Sequence, residues 1–189
     1  MKKAIVSIVS IIIGIVFMIY IACIVVVVNA TGGFPLLAPS YVTIEIYLQK
    51  NIYVLSYVAD NLLDLNYGGI EIRKVLYQDE DKNNMRVWKQ ENDSIRANSE
   101  TVPIPDDLKK PIEYLLKTGV NVISSRSHNT IGFTLWSSMN ESRGIKYSRT
   151  GEEPSREQII VLRRLSQEGW YYYVHNYEKW KAQNPQLFE

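Results

Sequence analysis

The run Ala4–Val28, AIVSIVSIIIGIVFMIYIACIVVVV, contains no charged residue. At ~1.5 Å per residue a helix of that length spans about 37 Å, more than the ~30 Å hydrocarbon core of a bilayer. Only Ser7, Ser10 and Gly14 interrupt it, so it lacks the polar side that a soluble core helix turns to water. The apolar part of a cleavable signal runs about 7–15 residues. Val28, Asn29 and Ala30 resemble a cleavage site, but the run before them is too long for that role. The sequence therefore predicts an uncleaved, single-pass transmembrane helix within residues 1–30.

Flanking charge sets its direction. Lys2 and Lys3 precede the run, and the first positive residue after it is Lys50. Positive residues stay cytoplasmic, which puts the N-terminus in the cytoplasm and the C-terminal domain outside it. Cys23 lies inside the apolar run behind Tyr20, Ile21 and Ala22, a poor lipoprotein signal. It reads as a membrane-embedded thiol. The remainder has no cysteine, and at this size it can bury a sufficient core without disulfides.

Residues 31–40, TGGFPLLAPS, hold two glycines and two prolines and read as a juxtamembrane hinge. Residues 41–189 then read as one extracytoplasmic domain. Tyr41, Ile44, Leu48, Asn51, Leu55, Val58, Leu62 and Leu65 recur at helical spacing, with Asn51 the only polar member. That stripe is either the buried side of a core helix or a seam that pairs with another subunit, with Asn51 setting its register. Tyr67, Gly68 and Gly69 end the helix, and Ile70, Ile72 and Leu76 suggest a strand. The polar stretch 78–101 reads as loop around a small apolar knot at Met85, Val87 and Trp88, itself one strand or a turn of helix.

Asp106 and Asp107 can cap a helix that ends at Gly119, with Pro111 confining its regular part to 111–118. Residues 120–125, 130–137 and 144–149 read as strands. Glu152, Glu153, Pro154 and Ser155 then suggest a helix start, with Gln158 completing a capping box. Ile159, Leu162 and Leu165 would be its inward stripe and Gly169 its left-handed end. A final strand, WYYYVH, follows. This order of elements predicts an α+β domain with a mainly antiparallel sheet packed by helices.

Little in the sequence points to reaction chemistry. Metal sites need clustered His, Cys, Asp or Glu, whereas His128 and His175 stand apart with no spaced carboxylate motif, so neither a metal nor a cofactor is expected. Ser125 and Ser127 beside His128 fit turn chemistry, and Glu152 and Glu153 fit a helix start. A net charge of +1 gives no reason to expect nucleic acid as a partner. Asn29, Asn92 and Asn140 begin glycosylation triplets that matter only in a eukaryotic secretory route.

On an alternating strand Trp170, Tyr172 and Val174 face one way, and Tyr171, Tyr173 and His175 the other. The first set reads as core and the second as the candidate ligand-binding surface. The expectation is a membrane-anchored binding or assembly module without evident catalysis, meeting another envelope protein or peptide. The alternatives are a small envelope-acting enzyme built around His128, His175 or the Glu152–Glu153 pair, and an immunity or inhibitor protein.

Overall fold

The computed structural model describes Met18 and residues 38–74, 84–88 and 99–187. The chain divides into two compact units, Met1–Leu36 and Leu37–Glu189. Of the first only Met18 is described, helical and exposed, so the expected membrane span and most of the hinge lie outside the described residues. Among the described residues no helix is long and apolar enough to cross a membrane.

The second unit is α+β: one eight-stranded antiparallel sheet and three helices. Helix α1 (Tyr41–Asp64) starts where Ser40 Oγ accepts the Thr43 amide at 3.2 Å, an N-cap that satisfies one otherwise orphaned donor. Its Ile44, Leu48, Leu55, Val58 and Leu62 are buried, and the helix packs on α2 and on strands β5, β6 and β8 described below. Each such side chain contributes about 1.5–3 kcal/mol of apolar burial. Asn51 is buried with them, donating to Tyr47 O at 2.9 Å and accepting from Tyr114 Oη at 3.0 Å. The polar break in the stripe is thus satisfied inside the domain, between two of its own helices.

Strands β1 (Gly69–Arg73), β2 (Asn84–Trp88) and β3 (Ser99–Pro103) form a meander, and α2 (Asp106–Thr118) leads to the rest of the sheet. That second part comprises β4 (Val122–Ser125), β5 (Thr130–Ser137), β6 (Ser142–Ser148), β7 (Ile159–Arg164) and β8 (Trp170–His175), followed by α3 (Tyr177–Gln183). The spatial order is β3-β2-β1-β4-β5-β6-β8-β7, so β1 and β4 join the two parts.

Three sequence expectations need correction. The segment expected as a helix from Glu152 to Gly169 contains strand β7. Ile159, Ile160 and Val161 are β-branched, and pairing with β8 outweighs the helical spacing of Ile159, Leu162 and Leu165. Gly169 is left-handed as expected, at φ 77°, but it closes the β7–β8 turn. Second, β3 overlaps the stretch read as loop, while the apolar knot within it takes the strand form, β2, with Met85 and Val87 buried. Third, α2 is regular from Asp106 and holds Pro111 internally instead of beginning there.

Strands β6 and β7 are both antiparallel to β8, so they run parallel to each other and their connection must cross β8. Tyr172 meets Tyr41 of α1 edge-on, with ring centroids 5.6 Å apart, which identifies the helix-covered face. Tyr171 points away from that face and donates its hydroxyl to Gly151 O at 2.9 Å. The crossover 149–158 therefore passes over the other face, and its Pro154 is buried.

The start of α1 is tied to late parts of the chain. Tyr41 Oη donates to Arg164 O at 3.0 Å, Glu45 accepts from the Ser166 amide at 3.2 Å, and Arg143 Nη1 donates to Pro39 O at 3.2 Å.

Candidate functional site

Strand β8 divides its rings as alternation requires. On the helix side Trp170 packs at 4.8 Å from Tyr147 and 6.0 Å from Phe133 between ring centroids. With Tyr172 it belongs to the core.

On the other side Tyr173 is also buried, and its hydroxyl lies 2.7 Å from Thr134 Oγ1. The register places Thr134, Gly144 and Tyr173 side by side on β5, β6 and β8, so the tyrosine reaches across a glycine to its partner. Burial pushes the Tyr173 hydroxyl up to about 12, with the Thr134 hydrogen bond opposing part of that rise. Tyr171 is buried under the crossover. Of the three residues the sequence singled out on this side, His175 alone is half-exposed.

His175 Nε2 lies 2.8 Å from Gln158 Oε1. With the amide oxygen accepting, Nε2 carries the hydrogen and Nδ1 is the atom that titrates. Gln158 holds this position from a left-handed backbone, φ 59°, while its carbonyl accepts the Asn176 amide at 3.1 Å. Burial pulls the imidazole below its ordinary value, and the charges of Arg126 and Lys146 pull it further.

Lys146 sits mid-strand on β6, between Gly132 of β5 and Tyr171 of β8. It is half-buried, and burial lowers its ammonium pKa. Arg126 lowers it further, while Glu157 of the crossover opposes the fall. Arg126 comes from the turn after β4 and is exposed. Among the described residues neither Lys146 nor Arg126 has a carboxylate at ion-pair distance. The nearest acidic position in the same row of the sheet is Glu71, beyond Ser124 and Gly132, and its carboxylate pairs with Arg73 at 2.9 Å. The register sets these groups apart along the strands: Lys146 pairs with Tyr171, four residues before His175, and Arg126 follows Ser125 on the side of Lys146 away from His175.

The remaining sequence candidates lie elsewhere. Ser125 Oγ donates within its turn, with Ser127 O at 2.6 Å and Thr130 O at 2.8 Å, and His128 belongs to the same turn. Glu152 and Glu153 are exposed on the crossover, and Glu153 pairs with Arg156 at 2.6 Å. Among the described residues no group of His, Cys, Asp and Glu could hold a metal ion. Arg126, Lys146 and Gln158 were not legible as site residues. Lys146 looks like an ordinary outward position on a strand, and Gln158 looks like a helix cap.

The helical layer has a separate feature, an open groove of about 360 Å³ lined by Tyr53, Val54, Tyr57, Lys110, Pro111 and Tyr114. Tyr57 Oη donates to Asp107 there at 3.2 Å. No family model, curated protein or solved structure matches the chain.

Proposed function

We propose that this chain is a single-pass, membrane-anchored binding or assembly module that presents the face of its sheet opposite α1 to a ligand outside the cytoplasm. The observation that carries the binding role is Lys146, half-buried mid-strand on the face opposite α1 with no carboxylate at ion-pair distance among the described residues. A half-buried ammonium without a paired carboxylate adds no stability of its own, so it fits a surface completed by something else. The anchor and its direction rest on Ala4–Val28 and on the lysines before it. An enzyme would need His175 beside a carboxylate or a nucleophile, and its bond to the Gln158 amide favours the binding role instead.

Two measurements on the full chain in cells test this. A reporter active only outside the cytoplasm, fused after Glu189, should be active, and activity from a cytoplasmic reporter alone would reverse the orientation. A photo-crosslinker at Ser124 should trap a specific envelope component, whereas one at Lys117 on α2 should not. Recovery of uncrosslinked chain alone from the Ser124 probe would remove the binding role.

A further inference from the structure

Met139 stands in the turn between β5 and β6 and is 98% exposed. Ser142 pairs with His175, so this turn and the start of α3 leave the sheet side by side. A contact joins them: Lys179 Nζ lies 4.0 Å from Glu141 Oε2. Helix α3 buries none of its residues, although Tyr177 and Trp180 lie on it with ring centroids 6.4 Å apart. A short helical turn, Pro185–Leu187, follows, tied back where Asn184 Nδ2 donates to Trp180 O at 2.8 Å. Leu187 on that turn is 61% exposed. Single apolar side chains are ordinary on a surface, but a helix whose rings find no core needs another reason.

The chain enters the domain at the same place. Arg143 Nη1 donates to Pro39 O at 3.2 Å, and the same guanidinium pairs with Glu141 at 2.7 Å. Ten residues, 29–38, separate Pro39 from the apolar run, and a chain of that length reaches at most about 35 Å when fully extended. A domain anchored through that run is held close to the bilayer, and the β5–β6 turn and α3 flank its point of attachment. Their chemistry suits the headgroup boundary. Trp and Tyr rings favour that layer, and lysines such as Lys179 and Lys181 lay their stems on apolar surface while the ammonium stays in water. Glu178 offsets part of that positive charge, so apolar contact carries the interaction. We propose that the β5–β6 turn, α3 and the turn after it form a docking surface for lipid, laid against the membrane that holds the chain. This deepens the function proposed above and rests on its anchor, but not on Lys146 or the face opposite α1.

The test uses the full chain reconstituted in phosphatidylcholine vesicles, with Cys23→Ser so that single cysteines can carry an environment-sensitive fluorophore. Labels at Met139→Cys and Leu187→Cys report on the proposed surface. One at Ser99→Cys reports on β3, at the far edge of the sheet, where Ser99 is exposed. An interfacial surface sits ~5–10 Å into the headgroup boundary, so a nitroxide-bearing lipid should quench the first two labels about twofold or more over the third. Met139→Asp should reduce quenching of the Leu187 label, because a carboxylate resists leaving water. That residue is too exposed for the change to disturb the core.

Washing the same vesicles with alkaline carbonate separates this surface from the anchor. Chain that stays with the vesicles while all three labels are quenched alike keeps the anchor and overturns the docking surface. A Met139 label shielded from water but untouched by the lipid nitroxide marks a protein contact instead, and also overturns it. Chain that washes off removes the anchor, and the docking surface falls with it.

Discussion

Gln158 Oε1 lies 2.8 Å from His175 Nε2, and Gln158 reaches it from a left-handed backbone at φ 59°. A residue with a Cβ pays roughly 1–2 kcal/mol for that conformation, which glycine adopts without penalty. Gln158→Ala keeps the strain and loses the hydrogen bond, so it should be destabilised. Gln158→Gly loses the same bond but relieves the backbone, and should be more stable than the alanine variant by about 1 kcal/mol. Chemical denaturation of the two variants checks the order.

His175 titrates below its ordinary value, first from burial and then from Arg126 and Lys146. The unfolded chain therefore binds the proton before the folded one does. Stability contributed by the neutral imidazole is present above the unfolded value near 6.5 and is lost as the pH falls through the lower folded value. Because the ring is half-exposed, solvent screens the effect and the slope should be shallow. Urea midpoints measured from pH 7.5 to 5 should fall, and His175→Gln should flatten that part of the curve.

The Tyr173 hydroxyl is held near 12, above its ordinary 10.0. Here the unfolded chain loses its proton first, so stability should fall as the pH rises from 10 toward 12. Tyr173→Phe should cost about 1 kcal/mol through the lost Thr134 bond. Thr134→Val in addition should cost less than the sum of the two changes, because the second removes a partner already missing. Ultraviolet titration and a double-mutant cycle measure both effects.

Two glycines on β5 and β6 should respond very differently to alanine. A Cβ on Gly144 would sit 2.1 Å from Phe133 O, a backbone atom in a paired strand that cannot move aside. Gly144→Ala should therefore cost about 4 kcal/mol or more, or prevent folding. A Cβ on Gly132 would find its nearest atoms at 3.6 and 4.0 Å, ordinary contact distances. Gly132→Ala should shift stability by less than about 1 kcal/mol. Thermal melts of the two proteins side by side provide the comparison.

Local patterns in the sequence carried α1, the hairpin of β4 and β5, and the face division of β8. In each, the period of apolar residues agrees with the tertiary packing. β7 was hidden because Ile159, Leu162 and Leu165 satisfy a helical spacing, while the β8 strand that claims the segment comes later in the chain. The site was harder still. Tyr171 is buried by a crossover that exists only because β8 inserts between β6 and β7, and alternation along one strand contains no trace of it. Lys146 and Arg126 come from different elements, and nothing in the pattern of either segment marks them.

The hydrogen bonds from Tyr41 to Arg164 and from Ser166 to Glu45 span 123 and 121 positions of sequence. In a chain made from its amino end, α1 emerges early and these partners among the last. Its apolar stripe packs on β5, β6 and β8, so the earliest helix waits for nearly the whole domain before it can settle. Until Trp170–His175 arrives, that stripe is an adhesive surface that a chaperone must shield. A nascent chain stalled or clipped before β7 would be left in that state, open to aggregation and proteolysis.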